Sequence, residues 1–159
     1  MTRVQIPATA PPVFRGNRAS LKVVTRDLEL RTKGESDILN ITEEIADEIE
    51  SSKIRNGVVT IFVKGSTAAL TTIEYEPGLK HDFPALLERV APRNIEYQHE
   101  RTWHDGNGHS HVRASLIGPS LSVPIVDGRL TLGVWQQIVV LEFDTRSRVR
   151  SLVTMILGE

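Results

Sequence analysis

The chain has 159 residues, enough to bury the core of one domain without disulfides or metal staples. Lys plus Arg (19) nearly balance Asp plus Glu (20), so no strong field steers the protein toward nucleic acid or a membrane surface. There is no cysteine, which excludes disulfides, thiolate metal sites and thiol nucleophiles together. No apolar run approaches a membrane span, no signal pattern opens the chain, and cytoplasmic residence is the expectation.

Residues 1–19 carry Pro7, Pro11 and Pro12 with few large apolar groups, and read as a flexible extension ahead of a domain over 20–159. Leu21 to Arg31 roughly alternates apolar and polar residues, which predicts a strand or a hairpin bent at Thr25-Arg26-Asp27. Ile38, Ile41, Ile45 and Ile49 recur at helical spacing, with Ser36 or Asp37 as cap. Val58–Val63 is a β-branched strand, and Gly65-Ser66-Thr67 follows it. A second helix is expected over Lys80–Val90, with Pro84 tolerable only in its first turn. Strands are then expected over Val112–Ile117, Ser120–Val126, Gln137–Phe143 and Val149–Leu157, with a hairpin turn at Asp127-Gly128. Two helical patterns among about seven or eight strands, without βαβ alternation, predict an α+β domain with mainly antiparallel sheet and two to three helices.

The chemistry concentrates in one segment. Four of the five histidines fall between His99 and His111. In an extended segment His109 and His111 point to one side, and Gly106-Asn107-Gly108 can fold His104 and Asp105 back toward them. Three imidazoles around one open position make a Lewis-acid or hydrolytic zinc site, so His104, His109 and His111 are the expected ligands of a divalent metal. Zn is the first expectation, and Mg fits a diphosphate substrate. Asp105 or Glu100 can replace an imidazole or orient one, and His99 is the weakest candidate of the cluster.

Around that segment, Ser66 and Thr67 offer hydroxyls and amides to a phosphate. Arg113, alternating with His111 if the segment is a strand, can clamp an anion and assist catalysis. Glu74, like Asp105, is a candidate for proton transfer, and Glu74 and Glu76 share one face if extended. Arg146, Arg148 and Arg150 read as an exposed strand edge. Aromatic residues are too few and scattered for a base-stacking surface.

Three stretches together resemble the YjbQ family: Thr67-Ala-Ala-Leu-Thr71, His104-Asp105 with His111-Val-Arg-Ala-Ser-Leu-Ile-Gly118, and Ser120 through Gln136 with Gly128, Gly133 and Trp135. The resemblance runs from about Leu21 to Gly158. It implies a compact α+β fold assembled as a homotrimer with sites near subunit boundaries, and it matches His104 and His111 to metal-associated histidines. Where that family usually has His before the hydroxyl pair, this chain has Gly65. Glu74-Tyr75-Glu76 stands where an acidic-amide stretch is usual, and Val134 where Thr is usual. His109 is an extra histidine that can replace the missing ligand.

The resemblance further implies a secondary thiamine-phosphate synthase activity, in which a pyrimidine diphosphate joins a thiazole phosphate and releases pyrophosphate. The expected function is therefore a metal-binding enzyme acting on a small phosphorylated molecule. A metal-dependent ester or phosphoester hydrolase and a non-catalytic trimer that binds metal or ligand are the alternatives, and the ligand set does not separate them.

Overall fold

The computed structural model describes residues 20–159; the expected extension over 1–19 lies outside them. The chain runs β1 (Lys22–Arg31), β2 (Ile38–Asn40), α1 (Thr42–Ser52), β3 (Gly57–Lys64), β4 (Ala68–Ile73), α2 (Pro77–Val90) and α3 (Glu100–Trp103). It continues through α4 (Gly108–Ile117), β5 (Ser120–Val126), β6 (Arg129–Leu130), β7 (Gln137–Glu142) and β8 (Val149–Gly158). The α+β architecture with antiparallel sheets is as expected. One sheet has the order β1-β8-β3-β5-β6 and the other β2-β7-β4, with every pairing antiparallel.

The short sheet is the middle layer. One face joins α1 and the inner face of the long sheet in a core that includes Ile45, Ile49, Ile61, Leu70, Val140 and Ile156. Its other face meets Leu87 of α2 and Ala114 of α4 through Ala69, Val139 and Leu141. Burial on both faces explains why Ile138-Val-Val-Leu141 is a continuous apolar run rather than an alternating one. The long sheet is covered on one side only, so β8 alternates buried and less buried residues along its length.

Several elements differ from the sequence expectation, each for a local reason. β1 is one strand of ten residues without the bend at Thr25-Arg26-Asp27, because it pairs along its whole length with β8. Ile38 lies in β2 rather than in a helix, since Ile38–Asn40 pairs with β7; the Asn40 side chain then accepts from the Thr42 amide as α1 begins. α2 starts at Pro77 rather than Lys80, with the Glu76 carboxylate accepting from the Gly78 and Leu79 amides, which leaves Pro84 inside the helix.

The largest correction is α4. Val112–Ile117 is helix, not strand, and buries Ala114 against the short sheet. The Asp127-Gly128 hairpin is as expected, both residues having positive φ (52° and 76°), the requirement of a type I′ turn.

Candidate functional site

The short sheet ends in a cleft of about 560 Å³. Its floor is built by three strand ends: Gly65-Ser66-Thr67 leading into β4, Asp144 after β7, and Arg148 and Arg150 around the start of β8. Its other wall is the α3–α4 segment, through His99, Trp103, Asp105, Asn107 and His111.

A buried polar network sets the floor. Glu142 is fully buried (0 % exposed) and accepts from Arg150 Nε at 2.7 Å, from the Thr32 hydroxyl at 2.9 Å and from the Asp144 amide at 2.8 Å. Arg150 Nη2 donates to Glu142 and, at 2.7 Å, to Thr67 Oγ1, which in turn donates to Asp144 Oδ2 at 3.2 Å. Asp144 also pairs with Arg148 Nη2 at 2.8 Å. Burial pushes the Asp144 carboxyl up, but the Arg148 side chain, the Arg146 amide and the Thr67 hydroxyl together hold it below the usual value.

Arg150 lies on the inward face because residues 150, 152, 154 and 156 share one side of β8. That corrects the reading of this arginine as an exposed strand edge. The signal was present in the period-2 pattern, since Leu152 and Ile156 are core residues. Gly65 matters here. A Cβ at that position would stand 2.9 Å from Arg150 Nη1, so glycine leaves the edge of the guanidinium uncovered at the cleft floor.

The wall is held by Glu100. Its carboxylate accepts from the Gly106 amide at 2.7 Å and the Gly108 amide at 2.9 Å, which folds the Gly-Asn-Gly turn back under α4 and lowers the pKa of the acid. Gly108 is required by close approach, as a Cβ there would come within 2.5 Å of the Tyr97 side chain. His111 then packs against His99, the ring centroids 4.4 Å apart and the planes tilted by 41°. His99 Nε2 lies 3.5 Å from Asp105 Oδ1. Burial, reinforced by His99, holds the His111 imidazole below its ordinary pKa against the pull of Asp105, Asp144 and Glu100. His111 is therefore neutral at neutral pH.

The helical conformation of α4 separates the expected ligands. Residues two apart on a helix are turned by about 200°, so His109 and His111 face opposite ways. His109 is buried with Nε2 at 3.2 Å from Glu35 Oε1. His104 ends α3 in a left-handed conformation (φ 53°), is exposed and does not line the cleft. Among the described residues no group of three or more His, Asp or Glu side chains is placed to hold a metal ion. The donors of one chain thus do not fit the metal centre that the resemblance implies.

Arg113 follows His109 by four residues and shares its side of the helix. It is 1 % exposed, donates twice to the Ala91 carbonyl, and pairs with Glu35 at 2.7 Å and Glu88 at 2.6 Å. It fastens α4 to the end of α2 and to the Glu35 loop instead of facing the cleft. Glu74 is exposed beyond the far end of β4, six residues or about 20 Å from the cleft end. Of the expected site residues, Ser66, Thr67, Asp105 and His111 come together in the cleft; His104, His109, Arg113 and Glu74 do not.

The cleft also collects polar atoms without partners. Among the described residues, the buried side-chain atoms lacking a hydrogen bond belong to Glu48, His99, Asn107, Arg148 and Thr154. Asn107 Oδ1 and Arg148 Nε lie in residues lining this one cleft, as does His99 Nε2, which makes no hydrogen bond but has Asp105 Oδ1 at 3.5 Å. Each such atom costs free energy while it has no partner.

Residues 26–159 match the family described as UPF0047 protein YjbQ-like. A UPF0047 protein of Methanothermobacter thermautotrophicus is 38 % identical over 124 residues, covering 78 % of this chain and 85 % of that one. Among solved structures, a YbjQ-like protein of unknown function from Sulfolobus solfataricus superposes with a TM-score of 0.83 at 32 % identity, over 87 % of this chain and 99 % of that one. An uncharacterised conserved YjbQ/UPF0047 protein of Clostridium acetobutylicum gives 0.75 at 30 % identity, over 82 % and 98 %.

Proposed function

The chain belongs to the YjbQ-like UPF0047 family, and from that premise and the cleft geometry we propose that it is an enzyme acting on a small phosphorylated molecule. The phosphoryl group sits on the strand-end floor, against Thr67, the Ser66 hydroxyl and the open edges of Arg148 and Arg150. Because Arg148 and Arg150 already face Asp144 and Glu142, the floor offers an anion directed N–H groups more than net charge. His111, neutral and packed against His99, accepts or returns a proton at the reacting group. Asp105 lies beside His99, its Oδ1 3.5 Å from Nε2. No step in this reading passes through a metal.

The single observation that carries the reading is the gathering of unpartnered buried polar atoms in one cleft. Isothermal titration calorimetry with inorganic phosphate tests it: binding is expected, and is weakened at least tenfold in Thr67→Val. Absence of binding by the unaltered protein overturns the reading. A panel following pyrophosphate release and simple hydrolysis in parallel then distinguishes group transfer, including the thiamine-phosphate synthase reaction, from phosphoester hydrolysis.

We also propose a trimer, formed through the uncovered face of the long sheet. Val23, Phe62 and Met155 are exposed there and Leu157, Val58 and Val153 lie beside them in register. Sedimentation equilibrium is expected to give three times the 17.7 kDa chain mass.

A further inference from the structure

The two sides of the cleft differ in chemistry. The strand ends supply hydroxyls and guanidinium N–H groups from Ser66, Thr67, Arg148 and Arg150. The opposite wall carries flat rings: His111 packs against His99, and Trp103 lies one turn further along α3. His99 already has helical dihedrals (φ −53°, ψ −39°), and its carbonyl accepts from the Trp103 amide at 3.2 Å. Residues four apart on a helix share one side of it, so the indole stands next to the His99 imidazole, and both line the cleft.

Packing does not explain this tryptophan. Trp103 belongs to neither hydrophobic core of the described residues and stays 69 % exposed while lining the cleft. The wall takes its shape from other groups, since Glu100 holds the Gly106 and Gly108 amides and Gly108 closes onto Tyr97. A cleft of about 560 Å³ also falls in the range that holds a whole small organic molecule rather than a phosphoryl group alone. Such a molecule, seated by its phosphate on the strand ends, brings its remaining atoms against the rings.

We propose that Trp103 is a specificity-determining residue whose indole stacks on an aromatic ring of the ligand, so that the cleft selects aryl phosphomonoesters over alkyl ones. The phosphoryl group keeps its place on the floor, a reading on which this proposal rests, and Trp103 defines the other half of the ligand. Aromatic rings attract one another in offset or edge-on contact beyond the apolar area they cover. A flat ring also covers an exposed indole more completely than a short alkyl group does. A saturated ring of similar size loses the first contribution, and an ethyl group loses most of both.

Calorimetry on the full chain with phenyl, cyclohexyl and ethyl phosphate tests this. Phenyl phosphate is expected to bind at least about tenfold more tightly than ethyl phosphate, with cyclohexyl phosphate between them. In Trp103→Ala the preference disappears while ethyl phosphate affinity stays unchanged, and Trp103→Phe, which keeps a ring, retains it. Fluorescence gives a second reading, because the chain has two tryptophans and Trp135 precedes β7 at the end of the short sheet away from the cleft. In Trp135→Phe the emission of Trp103 shifts on titration with phenyl phosphate, with its midpoint at the calorimetric Kd. Equal affinity for phenyl and ethyl phosphate in the unaltered protein overturns the assignment of Trp103 and leaves the phosphate floor intact. Cyclohexyl phosphate binding as tightly as phenyl phosphate, or a preference that survives in Trp103→Ala, overturns it equally. Failure of all three esters and of inorganic phosphate to bind overturns the floor, and the proposal with it. Should Trp103→Ala not fold, unchanged Trp103 emission at saturating phenyl phosphate overturns the assignment.

Discussion

Removing the Arg113 side chain separates a structural role from a catalytic one. In Arg113→Ala the two bonds to the Ala91 carbonyl disappear, and Glu88 and the largely buried Glu35 lose the guanidinium that pairs with them. Breaking a buried ion pair by truncating one partner costs about 3–5 kcal/mol, because the remaining charge stays where water cannot reach it. Arg93 stays 3.7 Å from Glu35, and His109 remains 3.2 Å from it, so the lower part of that range is expected. For a domain of this length each kcal/mol lowers the melting temperature by about 2–4 °C, which places the variant roughly 6–12 °C below the parent. Urea unfolding followed by circular dichroism measures the same loss as a fall in midpoint at constant slope. Below the melting temperature the variant binds inorganic phosphate with parental affinity, since Arg113 does not line the cleft. A loss under 1 kcal/mol, or a stable variant that no longer binds phosphate, would refute this reasoning.

Other substitutions and conditions probe the remaining parts. Arg150→Gln alone strips the counter-charge from fully buried Glu142 and is strongly destabilising, whereas Glu142→Gln/Arg150→Gln recovers most of the stability yet binds phosphate at least tenfold more weakly by calorimetry. Retained affinity in the double variant would remove Arg150 from the floor. Glu88, held at a pKa of about 2 by the Arg93 amide first and by Arg113, is depressed in the fold, so its contribution is present above about pH 4.5 and lost as the pH falls through about 2. Glu88→Gln should flatten that acid limb in a pH series of urea midpoints. The His111 imidazole is also depressed, so the unfolded chain takes up its proton first and stability declines as the pH falls through about 6.5; His111→Gln removes that decline. His104→Ala and His109→Ala should leave any bound divalent metal unchanged by plasma mass spectrometry, as neither ring faces the cleft. Metal lost in either variant would show these rings sharing an ion.

Fold class, most strand positions and the neighbourhood of the site were legible from local residue patterns. Alternation in β3, β5 and β8, the Asp127-Gly128 turn and the residues matching the YjbQ family are local signals, and local geometry follows them directly. Ser66, Thr67, Asp105 and His111 were legible for the same reason, as small or titratable residues at strand ends and in a glycine-punctuated turn. What those residues face depends instead on long-range packing. The segment Val112–Ile117 reads as a strand, and its burial against β4 and α2 makes it part of a helix over Gly108–Ile117 instead. That choice rotates His109 and Arg113 away from His111 and dissolves the expected three-imidazole centre. Arg150, Asn107 and the Glu142 network depend on contacts between residues dozens of positions apart, as in the 83-residue step from Thr67 to Arg150, and no periodicity within one segment encodes such a pairing.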